Sequence, residues 1–408
     1  MYDYIMVRYG DLTLKGKNQR TFRYTLNNQL SKKLSALDVT IEYQHDLIYI
    51  KLKDTDADDV IKVLNTVSGL SSYSKVLKCD YDLDVIAQKS LEIIRLETKG
   101  VLTTFKLDTK RADKRIPHTS QELTQILSKK ILTQIDNLKV DVHNPSLTLK
   151  VEVRRDGTYI YLNRIKGMGG FPVSIGGKGL VLLSGGIDSP VSAYLAMKKG
   201  LEVDCIHFES TPMTSIESAQ KVVDLTEVLA KFAPDSQITL HLVPFYKLHE
   251  KLLLHIPEYY MITIMRRMMY RIASEIAIKH NCGVLISGDS IGQVASQTIE
   301  SMSTIQDATK LLVIRPLSIF DKNDIVNIAE EIGTLNISNR PFSDCCTIYV
   351  PKNPIIKPTI RTARHFEQTF PYEPLVEEAV QNTLSVMLNN KEHLDIQSKG
   401  LTVSECLK

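Results

Sequence analysis

The apolar positions of this chain fall into three successive patterns. In the first 75 residues DYIMVRY reads as a strand and NQRTFRYTLNNQLSKKL carries the spacing of a helix. VTIEYQ and LIYIKL then form a hairpin-like pair, and ADDVIKVLNTV is a second helix. This β-α-β-β-α order predicts a ferredoxin-like α+β domain over 1–75. From 76 to 166 the pattern gives helix DVIAQKSLEIIRLE, strand LTTFKLDT and helix TSQELTQILSKKILTQ. Two more strands, LTLKVEVRR and TYIYLNRIK, are expected to turn at Asp156-Gly157. A glycine-rich linker over 167–178 follows, turned tightly or mobile. Beyond it GLVLL, LEVDCIHFE, ITLHLVPFY, CGVLISGDS and LLVIRPL are buried strands separated by helices. That alternation predicts a doubly wound parallel sheet over 179–408, closed by a helical tail.

Length and composition fit two or three domains: 408 residues, 43% of them hydrophobic. The net charge of +3 is unevenly spread, since 101–178 holds 14 basic residues against 7 acidic ones. Either this segment faces a phosphate backbone or the clustering is chance. Lys110, Arg111, Lys114 and Arg115 share one loop, while Arg154, Arg155, Arg164 and Lys166 end nearby strands. Few aromatics interleave with these charges, which favours recognition of shape and phosphate over stacking on single strands. Lys15, Lys17 and Arg20 gather near the first helix, where a phosphate-holding loop and a plain basic surface loop read alike. No apolar run approaches the ~18 residues that span a bilayer, and MYDYIMVRYG lacks the features of a signal peptide. A cytoplasmic protein is expected. The cysteines form no C-x-x-C pair and have no histidine partner at zinc spacing, so no metal site is expected. Cys79, Cys205, Cys282 and Cys406 read as small core residues. Cys345 and Cys346 are adjacent in a proline-bounded loop, RPFSDCCTIYVPKNP, where a thiolate could carry sulfur; two structural thiols are the plainer alternative.

The sharpest chemistry lies in GLVLLSGGIDSPVSAYL. A buried strand ends at Leu183, a loop of small residues spans 184–189, and Pro190 opens a helix. Gly185 and Gly186 let backbone approach an anion, Ser184 and Ser189 add hydroxyls, and the helix start adds oriented N–H groups. The loop lacks the G-x-x-x-x-G-K-[ST] spacing of enzymes that cleave the γ-phosphate.

SGGIDS resembles instead the signature of the PP-loop ATP pyrophosphatases, which hold the β and γ phosphates as a leaving pyrophosphate. FKLDTKRADKRIPHTSQEL is similar to the THUMP RNA-binding module. Taken from Arg8-Tyr9-Gly10 to about Pro358, the chain resembles the tRNA 4-thiouridine synthetase family. The resemblance implies ATP contacts at Leu182, Leu183, Ser184, Gly185, Gly186, Asp188, Ser189, His207, Phe208, Arg266, Gly288 and Gln297. It further implies that Asp188 acts through Mg²⁺ or by positioning the pyrophosphate, that Lys322 has an activating role, and that Cys346 bears the sulfur with Cys345 as helper or alternate. An ordinary exposed helix lysine is the alternative for Lys322. Where the family commonly has Gly-Glu-Ser, this chain has Gly288-Asp289-Ser290. The implied reaction adenylates a tRNA uridine at O4 and exchanges that oxygen for sulfur. Implied partners are tRNA, a cysteine desulfurase, the ThiS sulfur carrier and a second copy of the chain. The chain is expected to end without the rhodanese-like domain of longer members. Rival readings are another PP-loop enzyme, such as a 2-thiouridylase or an amide-forming synthetase, and a non-catalytic RNA-binding protein.

Overall fold

The computed structural model describes residues 2–10, 18–162, 164–342 and 353–407. They form two compact units, 1–171 and 172–408.

The first unit runs β1 (Tyr4–Tyr9), α1 (Gln19–Lys33), β2 (Thr40–Tyr43), β3 (Leu47–Lys51), α2 (Ala57–Leu64) and β4 (Leu70–Cys79). It continues with α3 (Leu83–Thr98), β5 (Thr103–Arg111), α4 (Ser120–Leu132), β6 (Leu138–Val140), β7 (Leu147–Arg154), β8 (Gly157–Tyr161) and β9 (Ile165–Lys166). Helix starts are set locally. The Asp56 carboxylate accepts the Asp58 N–H ahead of α2, and Thr119 and Glu122 form a reciprocal capping box at α4. Pleating then sorts the side chains. Ile5 and Val7 of β1 and Ile48 and Ile50 of β3 face Leu26 and Leu30 of α1 and Val60 and Leu64 of α2. Met6, Tyr49, Val76, Tyr159 and Tyr161 make a separate cluster.

The described strands of this unit make one sheet in the order β2-β3-β1-β4-β8-β7-β5-β6, with β9 beside β4. The ferredoxin-like order is present, but it is completed by β4, which the sequence pattern did not bring out. SSYSKVLKC mixes polar and apolar residues because the strand is paired with β1 on one side and with β8 and β9 on the other. β4 runs through the division expected at 75/76, and the two N-terminal halves share it. The β7–β8 turn also differs by one residue. Arg154 pairs with Gly157, which leaves Arg155-Asp156 as the two-residue loop and puts Gly157 at φ 139° inside the strand. A side chain there would meet Lys78 Cε at 2.7 Å.

The second unit runs β10 (Lys178–Leu182), α5 (Asp188–Lys198), β11 (Glu202–Glu209), α6 (Ile216–Ala230), β12 (Gln237–Pro244), α7 (Tyr246–His255), α8 (Met261–Lys279) and β13 (Val284–Ile286). After these come α9 (Ile299–Gln306), β14 (Leu312–Ile314), α10 (Lys322–Ile332), α11 (Leu335–Ser338), α12 (Ile360–Glu367), α13 (Glu373–Gln381), β15 (Leu384–Asn389) and α14 (Val403–Cys406). The sheet order is β14-β13-β10-β11-β12-β15, with β10 to β14 parallel. The expected doubly wound sheet is therefore present. The tail departs from expectation, because LSVMLN forms β15 antiparallel to β12 instead of remaining helical. Its alternation of exposed and covered positions is that of an edge strand. Strand order reverses between β10 and β13, and ligands in such sheets bind at the carboxyl ends of the strands flanking that point.

Arg267 of α8 ties this unit together. It is 0% exposed. It donates to Glu367 Oε1 and Oε2 at 2.7 and 3.0 Å, to Asp307 Oδ2 at 3.1 Å, and to the Thr304 carbonyl. Arg271 and Arg364 complete the network on the same two carboxylates, at 2.9 and 2.6 Å. Every end of the buried guanidinium is matched, so α8, the end of α9 and α12 are held in one register. Arg267→Met would leave Glu367 buried with a weaker set of partners. We expect it to lower stability by about 3–5 kcal/mol, measured by urea unfolding of the full chain.

Candidate nucleotide and RNA sites

The loop between β10 and α5 is closed on itself by its two serines. Ser184 N donates to Ser189 Oγ at 2.9 Å, Ser189 Oγ donates to the Ser184 carbonyl at 3.2 Å, and the hydroxyls lie 3.1 Å apart. Gly186 N donates to Ser184 Oγ at 3.3 Å, and Ser338 Oγ donates to the Gly186 carbonyl at 3.3 Å. Both hydroxyls are therefore spent on loop shape, leaving backbone N–H groups and the α5 start as the means of holding an anion. α5 begins at Asp188, two residues before Pro190. His207 Nδ1 donates to the Leu183 carbonyl at 3.0 Å, which fixes that ring nitrogen as the protonated one.

Gly288, just past β13, lies against this loop. A Cβ at Gly288 would stand 2.9 Å from Ser189 N and 3.0 Å from the Asp188 carbonyl carbon. Only glycine fits without moving backbone. Asp188 and Asp289 flank that contact, and each organises a set of charges. Asp188 Oδ1 accepts from Lys322 Nζ at 2.5 Å and Oδ2 from Gln293 Nε2 at 2.8 Å. The Asp188 side chain is 20% exposed and that of Lys322 47%, so the pair opens to solvent. Lys322 is the first residue of α10, where the helix dipole disfavours a cation, and Asp188 offsets that repulsion.

Asp289 is buried. It accepts both Arg266 Nη2 contacts, at 2.7 and 2.9 Å, and the Ser287 hydroxyl at 2.6 Å. Arg315 Nε stands 3.5 Å away. Burial pushes its carboxyl pKa up, but Arg266, the Ser287 hydroxyl and Arg315 together hold it below the ordinary value. Gln297 Nε2 sits 3.5 Å from the same carboxylate, and Gln297 Oε1 has no hydrogen-bond partner among the described residues. The shorter Asp in place of Glu thus serves to orient Arg266 and Arg315 within the protein. Arg315 uses Nη1 on Gln306 Oε1 at 2.8 Å, while its Nη2 has no hydrogen-bond partner among the described residues.

The fold thus gathers Leu183, Ser184, Gly185, Gly186, Asp188, Ser189, His207, Gly288 and Lys322 about one loop, and Asp289 carries Arg266 and Gln297 beside it. Leu182 is half-buried against the α8 side of the core. Phe208 differs, because its ring is buried 5.4 Å from that of Phe245, leaving its backbone for any ligand contact. Ser287, Gln293, Arg315 and Ser338 escaped the sequence reading. Gln293 and Ser338 give no local signal because their partners, Asp188 and Gly186, are distant in sequence, and Arg315 reaches Asp289 only through the pairing of β13 with β14. Cys345 and Cys346 lie outside the described residues, as do Lys15 and Lys17.

In the first unit Arg20, Lys110, Lys114 and Arg115 are exposed. Arg115 is paired with Asp113, its Nη2 2.5 Å from Oδ2. Arg111 is turned inward, Nη1 donating to the Ile116 and His118 carbonyls at 3.1 and 3.4 Å. It shapes the basic loop. Lys110 is on the opposite face of β5, the face that also carries Glu152, Arg154, Tyr159 and Tyr161. There Arg8 lies over Tyr161, and Lys78 and Arg154 lie over Tyr159, at 5.2, 5.1 and 5.5 Å. The expectation of few aromatics near the charges is corrected, since the tyrosines of β8 meet cations from β1 and β4, strands that sequence keeps far from them. Among the described residues no helix is long and apolar enough to cross a membrane.

Comparison with known proteins bears on the fold and the family. Residues 174–371 match the family model described as thiamine biosynthesis protein (ThiI), 4–74 its ferredoxin-like domain, and 80–163 the THUMP domain. A protein of Acholeplasma laidlawii named as a probable tRNA sulfurtransferase is 46% identical over 403 residues, 99% of this chain and 98% of that one. A crystal structure of a 4-thiouridine synthetase in complex with RNA and bound ATP superposes with a TM-score of 0.86 at 35% identity, covering 95% of this chain and 100% of that one. A Pyrococcus horikoshii protein shares the fold, with a TM-score of 0.62 at 21% identity over 81% of this chain and 99% of its own.

Two outcomes test the site geometry. Gly288→Ala is expected to cost about 1–3 kcal/mol through overpacking, read by thermal unfolding. Asp289 contributes stability that is present above the ordinary carboxyl pKa and lost as pH falls through its lower folded value. Asp289→Asn should therefore be less stable near neutrality and lose less further stability on acidification, measured by unfolding midpoints across pH.

Proposed function

This chain belongs to the tRNA sulfurtransferase (4-thiouridine synthetase) family, and from that premise we propose that it converts the uridine at position eight of tRNA to 4-thiouridine, using ATP and a persulfide. The uridine O4 attacks the α-phosphorus, the bond to the bridging oxygen breaks, and pyrophosphate leaves. The base now carries AMP as a leaving group. A persulfide on Cys346, loaded by a cysteine desulfurase, attacks C4 with its outer sulfur and expels AMP. A second thiol, Cys345 being the nearest in sequence, then attacks the Cys346 sulfur, releasing 4-thiouridine and leaving a disulfide for an external reductant.

The observation that carries this reading is the Asp188–Lys322 pair, half open to solvent at the strand-order reversal and braced by Gly288. In the proposed complex the loop 184–189 holds the β and γ phosphates through backbone N–H groups. Lys322 exchanges Asp188 for the α-phosphate, where charge builds as pyrophosphate departs. Leu182, Leu183, His207 and the Phe208 backbone border the nucleotide. Arg266 and Gln297, held by Asp289, stand beside it, and Arg315 joins them as a further anion contact. Asp188 suits Mg²⁺, which is usually bound through one or two carboxylates plus substrate phosphates. Mg²⁺ would supply charge neutralisation on the pyrophosphate, while Asp188 orients it. The thiols favour the loop pair: burial pushes Cys79 up to about 11 and Cys282 up to about 12, and Cys205 is wholly buried. None of these three is poised as a thiolate.

The proposed domain roles keep the ferredoxin-like region to about 75, the THUMP region to 166 and the linker to 178. Lys15, Lys17, Arg20, Lys110, Lys114 and Arg115 contact tRNA phosphates, with Arg111 shaping their loop instead. The proposal extends to a homodimer in the reducing cytoplasm, and to sulfur supply for the ThiS carrier.

Mass spectrometry of nucleosides from unmodified tRNA, incubated with the protein, Mg-ATP, cysteine and a desulfurase, tests the scheme. Wild type should form 4-thiouridine and Cys346→Ser none. Wild-type activity in that variant would move the chemistry to Cys345 or elsewhere, and absence of any thiolated uridine would reject the reading. Lys322→Ala should slow pyrophosphate release about 100-fold or more, with tRNA affinity unchanged in a filter-binding measurement.

A further inference from the structure

On the α8 face of the second unit's sheet, Asp204 of β11, His241 of β12 and His280 at the end of α8 bring one carboxylate oxygen and two imidazole nitrogens within 4.8 Å of one another. Asp204 is 4% exposed and His241 0%. Successive side chains alternate faces, so Asp204 lies on the opposite face of β11 from His207 and the phosphate loop. The two sites are separate.

His241 shows why the cluster calls for a ligand. Its Nδ1 lies 2.8 Å from Ser385 Oγ of β15, which fixes the ring. Its Nε2 is buried, has no hydrogen-bond partner among the described residues, and stands 3.6 Å from Asp204 Oδ2. An orphaned polar atom at full burial is costly and calls for a cause. Two donors bound to one tetrahedral metal at ~2.0–2.1 Å stand roughly 3.4 Å apart, close to the separation seen. The His280 ring stands 4.2 Å from that of His241, which brings both imidazoles to the same carboxylate. His280 also caps the carbonyl end of α8, a 19-residue helix whose dipole favours a cation there.

We propose that Asp204, His241 and His280 bind a divalent first-row metal of the zinc type, at a site distinct from the nucleotide-binding end of the sheet. Two imidazoles and a carboxylate are a borderline donor set suited to Zn²⁺, with water completing the shell. Ser385 orients one ligand from the outer shell. Lys178 competes, with Nζ 2.7 Å from the same Asp204 oxygen. Its side chain is 28% exposed, and Glu202 at 4.0 Å offers it another partner, so it has somewhere to go when metal enters. The metal would pin β11 and β12 to the end of α8.

The test is a Co²⁺ titration of the full chain carrying Cys345→Ser and Cys346→Ser, which removes the loop thiols from competition. One equivalent should bind with the visible absorption of a low-symmetry nitrogen and oxygen site, without thiolate charge transfer, and Zn²⁺ should displace it. Asp204→Asn and His280→Gln should each weaken binding about tenfold or more. His280 is only half-buried, so its variant is the one expected to fold normally by circular dichroism. Lys178→Met should tighten binding, an effect that a merely structural lysine would not produce. No binding, a thiolate spectrum, or equal affinity in wild type, Asp204→Asn and His280→Gln would overturn the proposal.

Discussion

The approach of Gly288 to the start of α5, too close for a Cβ, fixes where everything else in the nucleotide site can be. It joins the end of β13 to the start of α5 without an intervening side chain, at the place where strand order reverses. Asp188 precedes the contact on one chain segment and Asp289 follows it on the other. The two carboxylates are thereby set back to back, one holding Lys322 and Gln293, the other holding Arg266 and Arg315. A shift of the glycine would move both charge systems together, and positioning errors of about 1 Å are enough to cost 100-fold in rate.

Burial separates the charges that can act from those that only hold. Arg267 is sealed and fully matched, so nothing is left over for a substrate. Asp289 is also buried but spends its charge on two arginines, of which Arg315 keeps an Nη2 without a hydrogen-bond partner among the described residues. Asp188 and Lys322 are partly wet, and partners in water exchange at little cost. The gradient from dry to wet runs from scaffold to chemistry. Cys282 and Cys205 lie at the dry end, where burial keeps thiols protonated.

The phosphate loop could be read directly because a contiguous run of small residues between an apolar strand and a helix has few other uses. The parallel strands were equally plain, since burial on both faces leaves near-continuous apolar runs. β4 and β15 were not. The first alternates polar and apolar residues across a shared sheet, and the second is an edge strand with half its residues in solvent. Arg111 and Arg115 look alike in sequence, yet one turns inward to carbonyls and the other pairs in solvent. Asp204, His241 and His280 carry no local spacing at all, because only the pairing of β11 with β12 and the return of α8 bring them together.

The strand shared by the two N-terminal halves has a further consequence. Eight strands hydrogen-bonded in one path, from β2 to β6, span about 34 Å at the usual spacing of ~4.8 Å. Because β4 is continuous, that span has no joint at which to fold or stretch. The residues that the two N-terminal halves carry on this sheet are therefore set apart by strand spacing and not by a linker.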